Sequence, residues 1–167
     1  MPGRFTILTL DIRGRRCALR ADVVREILPV PRLHRPPEAA PALAGFMDLG
    51  GSVLPVLRLA SLLGLDEGAE AEPFYGHVVR LRRDVAARRV GFLADRALGL
   101  RQVAADDLRP VQPGETLNGL VEAAISDDGA LTHLLAADRL LLAEERAALD
   151  AWTLRAAARI QAWSAAP

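Results

Sequence analysis

Short apolar runs closed by turn-forming residues recur every 8 to 15 residues over most of the chain. They cover residues 5–12, 16–19, 45–49, 53–57, 76–82, 89–95, 98–103, 117–125 and 130–135. Runs of this length are typical of β-strands, and no long helical patterns alternate with them, as a parallel α/β sheet would require. The spacing therefore predicts a mainly β fold, a barrel or a sandwich.

Turn chemistry supports this prediction. Glycines predict tight hairpin turns at Gly14 and at Gly50–Gly51, and an Asp-Asp-Gly sequence predicts another at 127–129. Five prolines make residues 29–41 a loop, and four acids without a base make 66–73 a surface loop.

The strand pattern also has a weak internal symmetry. Each half of it closes with a short Leu-rich helix, one at 59–65 and the other at 137–142. Two small barrels that share a core are the simplest architecture that satisfies this pattern.

A helical period replaces the strand pattern between residues 143 and 163. Its apolar positions recur every three or four residues, at Leu149, Trp152, Ala156, Ile160 and Trp163. We expect this stripe to pack on the chain's own barrels. The alternative is a partner-binding helix in which Trp152 and Trp163 form an additional interface, because exposed tryptophan often anchors interfaces.

The residues that catalysis would need are scattered or missing. His34, His77 and His133 are isolated and form no metal-binding motif, and the single Cys17 lies in an apolar run typical of a buried, reduced thiol. Neither a phosphate-binding glycine loop nor a nucleophile elbow is present. The sequence therefore predicts no catalytic residue, no metal and no cofactor. An enzyme would need His133 or His77 in a buried pocket beside a carboxylate.

The charge balance narrows the class of partner. The 21 basic and 21 acidic residues among 167 cancel, so no global field attracts nucleic acid or an anionic membrane. The sequence shows neither a membrane-spanning run nor a signal peptide, which predicts a cytoplasmic protein without direct membrane insertion.

Charge is unevenly distributed along the chain. Residues 80–101 carry seven arginines against two aspartates, whereas residues 106–150 carry ten acids against three arginines. Such polarity suits a protein that docks other proteins.

A small barrel that binds nucleic acid is an alternative from another class. It would use Arg80, Arg82 and Arg89, in a chain with only 4% aromatic residues for base stacking. Arg80 and Arg82 alternate with apolar residues, so the outer, solvated face of a strand, or pairing with an acidic partner, explains them more simply.

Four segments occur in an order that resembles the CheW-like coupling domain family of bacterial chemotaxis, over residues 5–142. Residues 23–27 (VVREI) resemble the family's V-x-E-I segment, and residues 45–59 (GFMDLGGSVLPVLRL) resemble its G-v-i-n-L-R-G-x-v-l-P-V-i-D-L segment. Residues 90–95 (VGFLAD) are similar to v-G-l-l-V-D, and residues 118–120 with 128–135 are similar to the final hairpin.

The resemblance implies a fold of two five-stranded SH3-like β-barrel subdomains around a shared hydrophobic core, with short connecting helices and a C-terminal α-helix. Residues 1–142 are then one domain whose second barrel begins near residue 66, and residues 143–167 are a helical extension. The implied function is that of a stand-alone, non-catalytic adaptor. It would connect a chemoreceptor's cytoplasmic tip to the regulatory domain of a CheA-type histidine kinase.

The resemblance also assigns positions for kinase or receptor contacts, namely Val24, Glu26, Gly45, Gly51 and Pro55. Two residues at such positions depart from the family pattern: Gly50 replaces its arginine, and Arg58 replaces its aspartate. Either receptor docking is weakened, or the partner surface has changed sign to match. An adaptor that keeps only one partner, or that serves another signalling pathway, therefore remains an alternative.

Overall fold

The computed structural model describes residues 3–37, 39–65, 75–82, 89–127, 129–140 and 143–165, and it describes the side chains of the C-terminal helix from Thr153 onward. Several predicted features lie outside the described residues. These are the acidic loop at 66–73, Asp128 of the third hairpin turn, the end of the helix expected at 137–142, and the side chain of Trp152.

Strands dominate the described chain. In order, the elements are β1 (Arg4–Ile12), β2 (Arg15–Arg20), β3 (Val24–Pro29), β4 (Leu43–Leu49), β5 (Ser52–Arg58), α1 (Leu59–Leu62), β6 (His77–Leu81), β7 (Gly91–Ala94), β8 (Arg96–Ala104), β9 (Leu108–Arg109), β10 (Val121–Asp127), β11 (Ala130–Leu135) and α2 (Ala143–Ser164). The prediction of a mainly β fold with a C-terminal helix is confirmed.

The strands form two sheets. The first has six strands in the order β8-β1-β2-β11-β10-β9, and the second has five in the order β3-β6-β7-β5-β4. Each sheet contains one parallel pair, β2 with β11 and β5 with β7, and its other pairs are antiparallel. The first sheet therefore combines both ends of the strand sequence, and the second is formed by its middle. Residue 66 lies between β5 and β6, and both of these strands belong to the five-stranded sheet.

In each sheet the two edge strands are linked, in one case by a short turn and in the other by a single β-bridge. A 3₁₀ turn at Ala105–Asp107 leads directly from β8 to β9, the opposite edge of the six-stranded sheet. In the five-stranded sheet, the segment after β3 reaches β4 through an isolated bridge between His34 and Phe46. Among the described residues the edge strands of a sheet do not pair with each other, so neither barrel is fully hydrogen-bonded shut.

One hydrophobic core lies between the two sheets. It contains Leu8, Leu10, Cys17 and Leu19 from the first sheet, and Leu57, Val79, Leu81 and Phe92 from the second. Residues that alternate with these along the strands lie on the opposite face of each sheet, where they form a smaller apolar cluster. Examples are Ile7 and Ala18 in the first sheet and Val78 and Leu93 in the second. Because many strands are buried on both faces, their sequences are continuously apolar rather than alternating. The predicted shared core is confirmed.

The first of the two expected short helices is shorter than the sequence predicted. Helix α1 has only four residues, because Gly64 adopts a left-handed conformation (φ +70°) and the side chain of Asn118 donates a hydrogen bond to the carbonyl of Leu62 (3.0 Å). In the other half, the described residues contain a 3₁₀ turn at Ala137–Arg139. No helix in the described chain is both long and apolar enough to cross a membrane.

Candidate docking surface

Edge strand β3 presents alternate residues to solvent. Arg25, Ile27 and Pro29 are exposed, whereas the residues between them are partly buried. Ile27 is 39% exposed and lies opposite Val79, a member of the core between the sheets. Since directly opposite residues share a face of a sheet, Ile27 continues this core outward past the sheet edge.

Leu100 occupies the equivalent position on the six-stranded sheet. It lies on edge strand β8 opposite Leu8, another residue of the core between the sheets, and it is largely exposed. Ile27 and Leu100 are thus exposed apolar residues on the edge strands of two different sheets, and we call the two positions together the inter-sheet rim. Sequence reasoning missed both residues as site candidates. Their apolar side chains alone resemble core residues, and only the strand order places β3 and β8 at sheet edges.

Glu26 faces into the five-stranded sheet and forms an ion pair with Arg80 of β6, the residue directly opposite it. Arg80 is only 5% exposed. The expectation that Arg80 lines a solvated outer face is therefore wrong, because β6 is buried on both faces and Arg80 shares an inner face with Val78. Arg82 and Arg89 remain exposed, so the nucleic-acid alternative loses one of its three cations.

The β4–β5 hairpin exposes both glycines of its turn. Gly50 (φ +60°) and Gly51 (φ +83°) take left-handed conformations, and the backbone N–H of Gly51 donates to Oδ1 of Asp48 (2.8 Å). This confirms the predicted Gly-Gly turn. A β-carbon at either glycine would meet no atom within 4 Å, so the turn has room for larger side chains.

Three other residues assigned by resemblance are buried and serve the fold directly. Gly45 lies where a β-carbon would approach Cβ of Leu33 to 2.9 Å, and Pro55 is a buried residue of β5. Arg58 is 8% exposed and donates from Nη1 to the carbonyl of Pro41 (3.2 Å). The guanidinium of Arg58 therefore holds the proline-rich loop against the fold.

Val24 also has a packing role, since it is half-buried against the core between the sheets. The residues that remain accessible near it are those of β3 and of the β4–β5 turn. Leu28 of β3, Val30 just after it and Leu49 beside the turn all pack on the same inner cluster of the five-stranded sheet.

The C-terminal helix packs on the five-stranded sheet through Ala156, which is buried in the main core. The prediction that this helix packs on the chain's own strands is confirmed at that residue. Trp163 is 76% exposed and makes an edge-to-face contact with His34, with ring centroids 6.2 Å apart. The structure therefore leaves Trp163 accessible, as the alternative of an additional interface requires.

The titratable groups that could serve catalysis are dispersed. Burial raises the pKa of the Cys17 thiol to about 12, an effect that Arg15 opposes and Asp11 reinforces. His77 accepts a hydrogen bond from the backbone N–H of Ala97 (3.2 Å), and Nδ1 of His133 lies 3.4 Å from a backbone carbonyl oxygen. Among the described residues, no cluster of three histidine, cysteine or acidic side chains could hold a metal ion.

Comparisons with known proteins agree on one family. The family model for the CheW-like domain matches residues 6–145. The chemotaxis protein CheW of Thermotoga maritima is 23% identical over 137 residues, which cover 82% of this chain and 87% of the relative. The crystal structure of the scaffolding protein TtCheW from Thermoanaerobacter tengcongensis matches with a TM-score of 0.73 and 16% identity, over 87% of this chain and 92% of that one.

Proposed function

The chain belongs to the CheW-like domain family, and from that premise we propose that it is a non-catalytic scaffold of bacterial chemosensory signalling. In this proposal it couples the cytoplasmic tip of a chemoreceptor to the regulatory domain of a CheA-type histidine kinase. It acts in the cytoplasm, and its function is recognition of proteins. Residues 1–142 form the coupling module, and residues 143–167 form an extension.

The inter-sheet rim is the observation that carries the proposal. Ile27 and Leu100 expose apolar side chains on the edge strands of two different sheets, and both lie on faces that continue the core between the sheets. Exposed apolar residues beside a polar strand edge are characteristic of protein–protein contacts. Arg25, two residues before Ile27 and exposed like it on β3, supplies a charge that can select the partner.

One feature favours the variant in which only one partner is retained. The resemblance places an arginine of the family at the position of Gly50, and here that position is an open turn without a side chain. A surface that depends on this guanidinium would bind less tightly in this chain. The kinase and the receptor must therefore be tested separately.

The decisive experiment is a pair of calorimetric titrations. The protein is titrated with the regulatory domain of a CheA-type kinase from the same genome, and separately with a receptor tip. We expect a dissociation constant of about 1–50 μM for at least one of them. Ile27→Asp and Leu100→Asp should each weaken at least one titration about tenfold or more, because a charge would be buried in the contact.

Leu154→Asp is the matched control, since Leu154 is 73% exposed on α2 and lies outside the inter-sheet rim. It should bind like the unmodified protein. If neither partner binds a protein shown to be folded by circular dichroism, the scaffold proposal is rejected. If binding occurs but Leu154→Asp weakens it as much as Ile27→Asp does, the rim is not the docking surface.

A further inference from the structure

A groove of about 240 Å³ lies between the C-terminal half of α2 and strand β4. Its apolar lining includes Phe46 and Met47 from the strand and Ile160 and Trp163 from the helix. The two strand residues are almost wholly buried, whereas Ile160 and Trp163 are exposed. The groove thus has a fixed apolar floor and one wall whose apolar side chains still contact water.

The backbone fixes the opposite wall. His34 and Phe46 exchange two hydrogen bonds, of 2.9 Å and 2.7 Å, which align the segment after β3 with β4. Gly45 permits this approach, because a β-carbon there would press on Leu33 and on the carbonyl oxygen of His34. The edge-to-face contact between His34 and Trp163 then joins the two walls at one point.

Among the described residues, positive charge dominates the outer edge of this groove. Arg32 and Arg159 line it from opposite walls and are both exposed, and neither forms an ion pair among the described residues. Among the described residues that line the groove, Asp48 carries the one carboxylate, and this group already accepts a hydrogen bond from the backbone N–H of Gly51 in the β4–β5 turn. An occupant with an apolar centre and negative flanks would therefore complement the groove.

We propose that this groove binds an acidic peptide segment of a partner protein, with an apolar side chain on Phe46, Met47 and Trp163 and carboxylates beside Arg32 and Arg159. The volume accommodates an anchoring side chain, and the exposed tryptophan and the two guanidiniums are the residue types that most often dominate peptide contacts.

The groove is separate from the inter-sheet rim and adds to the proposed function. Its helical wall lies beyond residue 145, the last residue matched by the family model. Binding in the groove does not require binding of a kinase or receptor at the rim. The two proposals can therefore fail independently.

The test uses two fluorescein-labelled synthetic peptides and the full chain. One peptide has a central Phe-Leu pair flanked on each side by three glutamates, and the other has glutamines in place of the glutamates. By fluorescence anisotropy at low salt, the glutamate peptide should bind with a dissociation constant of about 10–100 μM, and the glutamine peptide about tenfold more weakly.

Variants assign the binding to the groove. Arg159→Glu should weaken the glutamate peptide about fivefold or more, because attraction becomes repulsion, and Trp163→Ala should do the same by removing the apolar wall. Arg4→Glu makes the same charge change on the other sheet, and Leu154→Ala removes an exposed apolar residue from the same helix. Both controls should leave binding unchanged.

Three results would overturn the proposal. The first is no binding of the glutamate peptide at millimolar concentration, and the second is equal loss with Arg4→Glu and Arg159→Glu. The third is a dimer, seen by light scattering of the unmodified protein, that Trp163→Ala converts to monomer. In that case the groove is a contact between copies of the chain.

Discussion

Glu26 and Arg80 face each other across β3 and β6, and their ion pair lies on the inner face of the five-stranded sheet. Removal of the carboxylate leaves a buried guanidinium without its partner. Because Glu26 is itself partly exposed, water can compensate in part. We expect Glu26→Ala to lower the free energy of unfolding by about 1–3 kcal/mol in urea denaturation.

Arg25→Ala, at the adjacent exposed position, is the control and should change stability by less than about 0.5 kcal/mol. The double variant with Arg80→Met should recover part of the loss, since no charge is then left buried. A stable Glu26→Ala protein would mean that the ion pair contributes nothing to the fold. Loss of partner binding in that variant would then report a direct contact.

Gly45→Ala tests the close approach between β4 and the segment after β3. The new β-carbon would lie 2.9 Å from Cβ of Leu33, and the φ of +152° is unfavourable for any L side chain. We expect a loss of about 2–4 kcal/mol, seen as a decrease in Tm of about 5 °C or more. Gly114→Ala, where the added carbon meets no atom within 4 Å, should unfold like the unmodified protein.

Gly50→Arg tests the departure from the family pattern in the β4–β5 turn. The φ of +60° costs a non-glycine residue about 1–2 kcal/mol, which a folded domain can tolerate, and the site is sterically open. We expect affinity for the receptor tip to rise about three- to tenfold in calorimetry. Gly50→Asn tests the backbone change without the charge, and an equal gain in affinity there would rule out a role for the guanidinium.

Cys17 gives a prediction about pH. Burial raises its pKa to about 12 in the folded state, above the ordinary value of 9.0 for the unfolded chain. The folded state therefore holds the proton more tightly. This contribution to stability is complete below about pH 9 and decreases by up to about 1.4 kcal/mol per pH unit between the two pKa values.

Urea denaturation between pH 7 and 10.5 measures this slope. Cys17→Ala should be less stable throughout, because a buried side chain is lost, but its stability should decrease less steeply above pH 9. Parallel slopes in the two proteins would contradict the assignment. In the folded protein the thiol should also resist alkylation at pH 8, since the thiolate is the reacting form.

Local chemistry made the strands and turns predictable. Gly14 and the Gly50–Gly51 pair specified their hairpins because few other residues accept left-handed backbone at two-residue turns. Which strands belong to the same sheet was harder to predict from the sequence. Parallel neighbours such as Cys17 and His133 are far apart in sequence, and their pairing depends on the whole fold.

The candidate site was only partly predictable, for a related reason. An alternating pattern in β6 suggested a solvated face for Arg80, but both faces of this strand are covered. Arg58 likewise ends an apolar strand, yet its guanidinium turns inward and donates to the carbonyl of Pro41. Conversely, Ile27 and Leu100 have the composition of core residues and are exposed only because β3 and β8 lie at sheet edges.

The arrangement of strands also determines the order in which a growing chain can fold. The five-stranded sheet uses only residues 24–94, so it can assemble before the rest of the protein has been synthesised. Strand β2 must wait for β11, its parallel neighbour, which emerges more than a hundred residues later. Until then an apolar strand has an unpaired edge, a hazard for aggregation during synthesis. Nascent chains that stop before β11 are therefore the ones most in need of a chaperone.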